Sequence, residues 1–209
     1  MKIPFRSAVL ALTCLAPFCA SGAILSVQVT DSAGKPLADT VVVAAQAGAA
    51  MPRIQKQGEI AQRGLKFMPL VSVIQTGSRI AFPNNDKVKH HIYSFSPAKR
   101  FDQKLYSGVT AAPQVFDKAG LVVLGCNIHD RMVAYVSVVD SPYFAKTDAQ
   151  GVARIELPAG GKYTVTAWHY NMSGATAQQA VTLGSEAPAA LAFQLIMKPP
   201  TIEADAPNY

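Results

Sequence analysis

Cysteine and histidine are both scarce in this chain of 209 residues, which has three cysteines and four histidines. Cys14 and Cys19 fall within the first 23 residues, so Cys126 is the one cysteine in the remainder. A lone cysteine cannot form an internal disulfide, which excludes a disulfide-stabilised scaffold. It leaves intermolecular pairing, a reactive thiol or a metal ligand as the roles of Cys126.

Charged residues make up only 15% of the chain, and lysine and arginine form no cluster. Nucleic acid is therefore not an expected partner. The sequence also lacks the G-x-S-x-G, glycine-rich phosphate-loop and H-E-x-x-H motifs. These absences remove the common hydrolase, nucleotide-binding and zinc-protease signatures, and we expect the protein not to be an enzyme.

Long apolar runs are missing as well. Residues 1–23 have the pattern of a secretory signal peptide, with Lys2 and Arg6 before a short apolar run and small residues at its end. Cleavage before Ile24 lowers the net charge from +6 to +4. No later run is long enough to span a bilayer, so we expect an exported, periplasmic protein without a membrane anchor.

Short runs rich in valine, isoleucine and aromatic residues, separated by Gly, Pro, Asn and Asp, dominate the rest of the chain. They occur at 24–30, 41–45, 70–74, 79–82, 91–95, 121–125, 133–139, 153–157, 163–168 and 191–197. With no long helical period, this pattern predicts an all-β sandwich or barrel. The runs on either side of the sequence QTGS predict a hairpin. Four aromatic residues are predicted to lie in the core: Phe82, Tyr93, Phe95 and Tyr135.

The sequence LGCNIHDRMVAYV places Cys126, His129 and Met132 between two apolar runs. A strand–loop–strand corner of this kind can direct three side chains to one point. A further strong ligand would come from His90 or His91, at the start of another strand. Neighbouring residues of a strand face opposite sides, so only one of these two histidines is expected to bind the same ion.

One thiolate, two imidazoles and a thioether form the donor set of a blue-copper site. Soft sulfur stabilises Cu(I), and imidazole binds both oxidation states. Zinc is the second choice of metal, because it usually takes a firmer fourth ligand than a thioether. A Cys–His nucleophile fits a buried strand end beside methionine less well.

These residues resemble cupredoxins of the amicyanin/plastocyanin-like type. The loop C-x₂-H-x₂-M is similar to that of amicyanin, and FMPLVSVIQTGSRIAFPNND is similar to the stretch before the first ligand histidine. The likeness covers residues 52–140 and is closest to bacterial exported proteins labelled "methylamine utilization protein".

The resemblance to cupredoxins implies a Greek-key sandwich over residues 50–140 with one type 1 copper. Four residues are implied as ligands: His90, Cys126, His129 and Met132. His91 occupies the position of an asparagine that braces the cysteine loop, and it stays open as an alternative ligand or as that brace. A multicopper oxidase or nitrite reductase would need more histidines.

A second resemblance involves residues 143–169 and 26–43, which are similar to the two halves of a carboxypeptidase-regulatory-like, prealbumin-like β-sandwich. We therefore predict a discontinuous sandwich of residues 24–46 and 141–198, with the cupredoxin inserted between them. Two sequential units are the alternative. The proline-rich tail 199–209 is expected to be extended or disordered.

Three functions are consistent with these patterns. The first is single-electron transfer, in which the cupredoxin resemblance implies a c-type cytochrome or a periplasmic dehydrogenase or peroxidase as partner. The second is copper carriage or storage, and the third is a metal-free β scaffold. His169 has no ligand spacing and is predicted to be structural.

Overall fold

The computed structural model describes residues 22–46, 48, 52–54, 56–107, 112–184 and 189–199. The predicted signal peptide, apart from Gly22 and Ala23, and the tail from residue 200 lie outside this set. Gly22 begins the first strand, two residues before the predicted cleavage point. Within the described ranges, no helix long and apolar enough to cross a membrane occurs.

All regular elements in the described residues are strands, which confirms the all-β prediction. The first half contains β1 (Gly22–Asp31), β2 (Val41–Gln46), β3 (Gln57–Glu59), β4 (Ala61–Gln62), β5 (Phe67–Met68), β6 (Val71–Gln75), β7 (Ser78–Ala81) and β8 (His90–Ser94). The second half contains β9 (Phe101–Tyr106), β10 (Gln114–Phe116), β11 (Gly120–Cys126), β12 (Val133–Val139), β13 (Phe144–Lys146), β14 (Val152–Pro158), β15 (Lys162–Trp168), β16 (Ala177–Thr182) and β17 (Ala189–Leu195).

The middle of the chain forms a five-stranded sheet in the order β6-β12-β11-β8-β9 and a three-stranded sheet in the order β10-β7-β3. Alternate residues of β11 and β12 are buried, as period-2 strands require. Their inward side chains, among them Val122, Leu124 and Val136, join one hydrophobic core that also contains Cys126 and Met132. Cys126 at the end of β11 and Met132 just before β12 are therefore positioned by this pair of strands.

The two ends of the chain form a separate pair of sheets. The strand β1 lies between β14 and β17, and β2 lies between β13 and β15, with β16 outside β15. These sheets enclose a second hydrophobic core, which includes Leu25, Val42 and Val165. These pairings join strands of residues 22–46 to strands of residues 144–195, with the five-stranded and three-stranded sheets lying between them in the sequence.

Two kinds of contact join the two parts. Lys146 Nζ donates a hydrogen bond to the Val71 carbonyl at 2.8 Å. The rings of Tyr135 and Tyr170 stack with their centroids 5.3 Å apart. Polar and aromatic contacts thus hold the second pair of sheets along the β6–β12 side of the first.

The predicted hairpin around QTGS is wrong. The strand β6 pairs in parallel with β12, whereas β7 pairs with β10 and β3 in the other sheet. At the crossing, the Thr76 amide donates to the Val139 carbonyl at 2.8 Å, and the Gly77 amide donates to the Phe116 carbonyl at 2.7 Å. Gly77 has a φ of 90°, a conformation that glycine adopts readily. Partners distant in sequence therefore decide the pairing of both strands.

The four aromatic residues predicted for the core divide into three groups. Phe82 is buried, whereas Tyr93 and Tyr135 are only partly covered. Phe95 is 74% exposed, so its assignment to the core is wrong. It lies just after β8 and packs against the ring of Tyr93, with the centroids 5.0 Å apart and the ring planes inclined by 36°.

Candidate metal centre

The loop that joins β11 to β12 carries three of the predicted ligands: Cys126, His129 and Met132. Cys126 is the last residue of β11, and Val133 is the first residue of β12. The Cys126 amide donates to the Met132 carbonyl at 3.2 Å, and the Met132 amide donates to the His129 carbonyl at 2.9 Å. These bonds fix the loop, so that residues three positions apart are held at one end of the sandwich.

The three nitrogen and sulfur donors form a compact triangle. His90 Nδ1 lies 3.2 Å from His129 Nδ1, and Cys126 Sγ lies 3.9 Å from His90 Nδ1 and 3.6 Å from His129 Nδ1. Metal–sulfur and metal–nitrogen distances of about 2.3 and about 2.0 Å in a trigonal site require separations of about 3.7 Å for S···N and about 3.5 Å for N···N. The observed triangle therefore fits one metal ion with little rearrangement.

Met132 is not a member of the triangle, and its side chain is held by packing in the hydrophobic core. Its side chain is 2% exposed and belongs to the same hydrophobic core as Cys126. Met132 and Cys126 also line the same cavity on the molecular surface. A thioether in this position can act as a weak axial donor. The remaining coordination would then come from the triangle.

Exposure differs sharply among the donors. His90 is 0% exposed and Cys126 is buried, whereas His129 is partly exposed. Within the described part of the chain, these three residues form the single group of His, Cys, Asp or Glu side chains with metal-binding geometry. The buried sulfur is shielded from water, and the His129 ring is the part of the triangle that reaches the surface.

Asp86 orients the first histidine. Its Oδ2 lies 2.9 Å from His90 Nε2, on the side of the ring opposite to Nδ1. This contact favours a proton on Nε2 and leaves the Nδ1 lone pair free for a metal. Burial works to raise the pKa of Asp86, but hydrogen bonds from the Leu65 amide, His90 and the Gly64 amide together hold it below its usual range. A charged carboxylate therefore supports the ligand ring.

His91 faces away from the triangle. Its ring contacts Asp102, and its main-chain carbonyl accepts a hydrogen bond from the Asn127 amide at 3.1 Å. The contact to the cysteine loop is thus made by the backbone of His91 and not by its side chain. The structure brings His90, and not His91, together with Cys126 and His129.

Asp86 was not identified from the sequence, although a signal existed. It stands four residues before His90, at the end of the stretch PNND. Its amide donates to Asn84 Oδ1 at 2.9 Å, an Asx-type contact that turns the chain and directs the carboxylate toward the histidine. A carboxylate shortly before a candidate ligand could have been read as its partner.

His169, the remaining histidine, lies far from this site in the second pair of sheets. It is buried, and its Nδ1 accepts a hydrogen bond from the Asn171 amide at 3.1 Å. Burial lowers its pKa, while a hydrogen bond to the Ala38 backbone and the negative charge of Asp39 act in the opposite direction. This environment agrees with the structural role predicted for His169.

No protein-family profile matches the chain, and no curated protein is significantly similar to it. Solved structures similar to part of the chain are cupredoxins and a copper enzyme. A purple cupredoxin from Nitrosopumilus maritimus is 23% identical, with a TM-score of 0.35 over 39% of this chain and 98% of its own.

Amicyanin from Paracoccus versutus is 17% identical, with a TM-score of 0.36 over 46% of this chain and 96% of its own. A copper-containing nitrite reductase from Thermus scotoductus is 20% identical, with a TM-score of 0.36 over 54% of this chain and 28% of its own. Likenesses at this level do not establish membership of a family. What the chain can bind follows from its own side chains.

Proposed function

We propose that the protein is an exported, mononuclear type 1 copper protein that transfers single electrons and is not an enzyme. Cys126 would supply the thiolate, His90 and His129 the two imidazole nitrogens, and Met132 the weak axial sulfur. The observation that carries the proposal is the compact triangle of one Sγ and two Nδ1 atoms, in which His90 and Cys126 are buried. Copper, when bound, supplies the one-electron change between Cu(I) and Cu(II).

The donor set favours copper over zinc. Structural zinc sites are usually closed by four firm ligands. Here the described residues offer three such ligands within reach of one another, and the fourth is a buried thioether. Soft sulfur donors and imidazoles at a rigid strand end suit an ion that must change oxidation state without large movement.

The roles of the surrounding residues follow from their exposure. The core around Cys126 and Met132 excludes water from the sulfur atoms, and Asp86 fixes the His90 ring. The partly exposed His129 ring gives an electron the shortest way to the surface. We propose a periplasmic c-type cytochrome, dehydrogenase or peroxidase as the partner. The prealbumin-like sandwich of residues 24–46 and 141–198 would hold the copper domain in a fixed orientation.

The test is a visible and EPR spectrum of the copper-loaded protein, compared with three variants. A Cu(II)–thiolate bond gives strong visible absorption, and C126S should abolish it because a hydroxyl is a poor, hard donor for copper. H90A should weaken copper binding far more than H91A. The opposite ranking of the two histidines would reassign the ligand.

The alternatives give different results in the same experiment. A carrier or storage protein would bind Cu(I) tightly without a reversible colour change. Full copper affinity and colour in C126S would refute the whole assignment. A metal-free scaffold would show no stoichiometric copper binding at all.

A further inference from the structure

The turn between β4 and β5 has an unusual residue at its tip. Gly64 and Leu65 both have positive φ angles, of 61° and 58°. A leucine in this left-handed conformation is strained, whereas glycine or asparagine would adopt it easily. Leu65 is also 47% exposed. An apolar side chain that is both strained and exposed does not stabilise the fold, which points to a role in binding.

Asp86 holds this turn in place. The Gly64 amide donates to Asp86 Oδ1 at 2.6 Å, and the Leu65 amide donates to Asp86 Oδ2 at 3.1 Å. The same Oδ2 lies 2.9 Å from Nε2 of His90. The strained turn is therefore connected by one carboxylate to a residue of the metal triangle, and it sits at that end of the sandwich.

Exposed cations surround the turn. Arg63 and Lys66 flank it, and the loop after Asp86 adds Lys87 and Lys89 with an exposed Val88 between them. Within the described part of the chain, no ion pair involves any of these four cations. We call this surface the basic–apolar patch; its members are Arg63, Leu65, Lys66, Lys87, Val88 and Lys89.

We propose that the basic–apolar patch is a docking surface for an acidic face of a partner protein, with Leu65 at the centre of the contact. The four cations would attract and orient a negatively charged surface, and the two apolar side chains would be buried on contact. The proposal rests on the proposed function for the partner being an electron donor or acceptor. A protein fits better than a lipid surface, because the patch is joined through Asp86 to His90, one of the residues proposed to hold the copper.

Chemical-shift mapping of the ¹⁵N-labelled, full-length protein tests this proposal. The probe is an acidic c-type cytochrome, titrated at low ionic strength, with a basic c-type cytochrome and phosphatidylglycerol vesicles as the comparison arms. Shifts should concentrate at residues 63–66 and 87–89 with the acidic probe, and they should fade as salt is added. The basic cytochrome should leave these residues unchanged.

Two variants separate charge from the apolar contact. The double reversal K66E/K87E should weaken binding about tenfold or more, since charges on the rim steer and orient association. The matched control K35E/K162E reverses two exposed lysines of the other pair of sheets and should have little effect. L65N relieves the strained turn, so its melting temperature should be unchanged or higher. It should still weaken binding about fivefold, a loss typical of a residue at the centre of an interface.

Several results would overturn the proposal. These are an equal effect of the two double reversals, full binding by L65N, shifts confined to another surface, no binding of the acidic cytochrome, or binding to the vesicles in its place. The mapping can be done on metal-free or Cu(I)-loaded protein, so it does not require electron transfer. Failure of the copper assignment would appear in the visible spectra of C126S and the parent protein. Failure of docking would appear only in the chemical-shift mapping and the binding measurements.

Discussion

Asp86 Oδ2 and His90 Nε2 lie 2.9 Å apart, and this contact fixes the direction of the other nitrogen of the same ring. His90 Nδ1 faces His129 Nδ1 at 3.2 Å and Cys126 Sγ at 3.9 Å. The ring is 0% exposed, so it cannot rotate without disturbing the core. The orientation of the His90 ring is therefore set by a carboxylate that itself takes no part in the triangle.

The first prediction concerns this carboxylate. In D86N the single amide oxygen cannot serve the Gly64 amide, the Leu65 amide and His90 together, so the ring should lose its fixed orientation. Copper affinity should fall about 10- to 100-fold, as is typical when the partner of a ligand histidine is changed. A competition titration with a chelator of known affinity measures the copper affinity of D86N and of the parent protein.

The matched control for D86N is D102N. Asp102 contacts His91 in the way that Asp86 contacts His90, but His91 lies outside the triangle. Its replacement should leave copper affinity unchanged. Similar losses in D86N and D102N would show that a general change in charge is responsible, and that Asp86 has no special role.

The second prediction concerns the axial position. M132L removes the thioether but keeps a side chain of similar size, so the cost in stability should stay below about 1.5 kcal/mol. The visible absorption should remain because Cys126 still provides the thiolate. The reduction potential should rise, since loss of a donor disfavours Cu(II), and cyclic voltammetry measures this.

Met172 provides the control for this measurement. It is buried in the core of the other pair of sheets, so M172L perturbs a methionine to a similar extent far from the triangle. The reduction potential of M172L should match that of the parent protein. An unchanged potential in M132L would remove Met132 from the set of donors.

The sequence allowed prediction of the local part of this site. Cys126, His129 and Met132 are close in the chain, and a strand–loop–strand corner brings such residues together whatever the rest of the fold does. The alternation of side chains along β8 predicted that only one of His90 and His91 binds the ion, and the choice of His90 rested on the resemblance to cupredoxins. Patterns of this range can be recognised in a single sequence.

Other features depended on contacts between distant segments. The crossing at Thr76 and Gly77 replaced the predicted hairpin because β12 and β10 supply the hydrogen-bond partners. Phe95 has a residue type common in cores, but it lies beyond the end of β8 and is 74% exposed. The strained conformation of Leu65 is stabilised by Asp86, which is 21 residues away. None of these outcomes follows from local pattern or propensity.

The third prediction is a pH dependence of stability that involves His169. Burial holds its folded-state pKa below the usual value of about 6.5. The neutral form is favoured in the fold, where Nδ1 accepts the Asn171 amide. The stabilisation is therefore fully present above about pH 6.5 and is lost as the pH falls through the lowered pKa.

The variant H169Q tests the origin of this dependence. Stability of the metal-free protein, measured by denaturant unfolding from pH 7.5 to pH 5, should decline less steeply in H169Q than in the parent. All other residues are the same in the two proteins, so the difference in slope isolates His169. Identical slopes would mean that His169 is not responsible.

The fourth prediction concerns the arrangement of the chain. The strands β1 and β2 each lie inside a sheet, between β14 and β17 and between β13 and β15. Deletion of residues 24–46 should therefore remove β2 and nearly all of β1, which are inner strands of the two sheets, and unfold the region 141–198. The copper site belongs to a different hydrophobic core, so a fragment of residues 50–140 should keep the fold and bind copper. Circular dichroism and the visible spectrum of the two proteins measure these outcomes. A region 141–209 that folds alone, together with a 50–140 fragment that does not, would favour two sequential units over a nested sandwich.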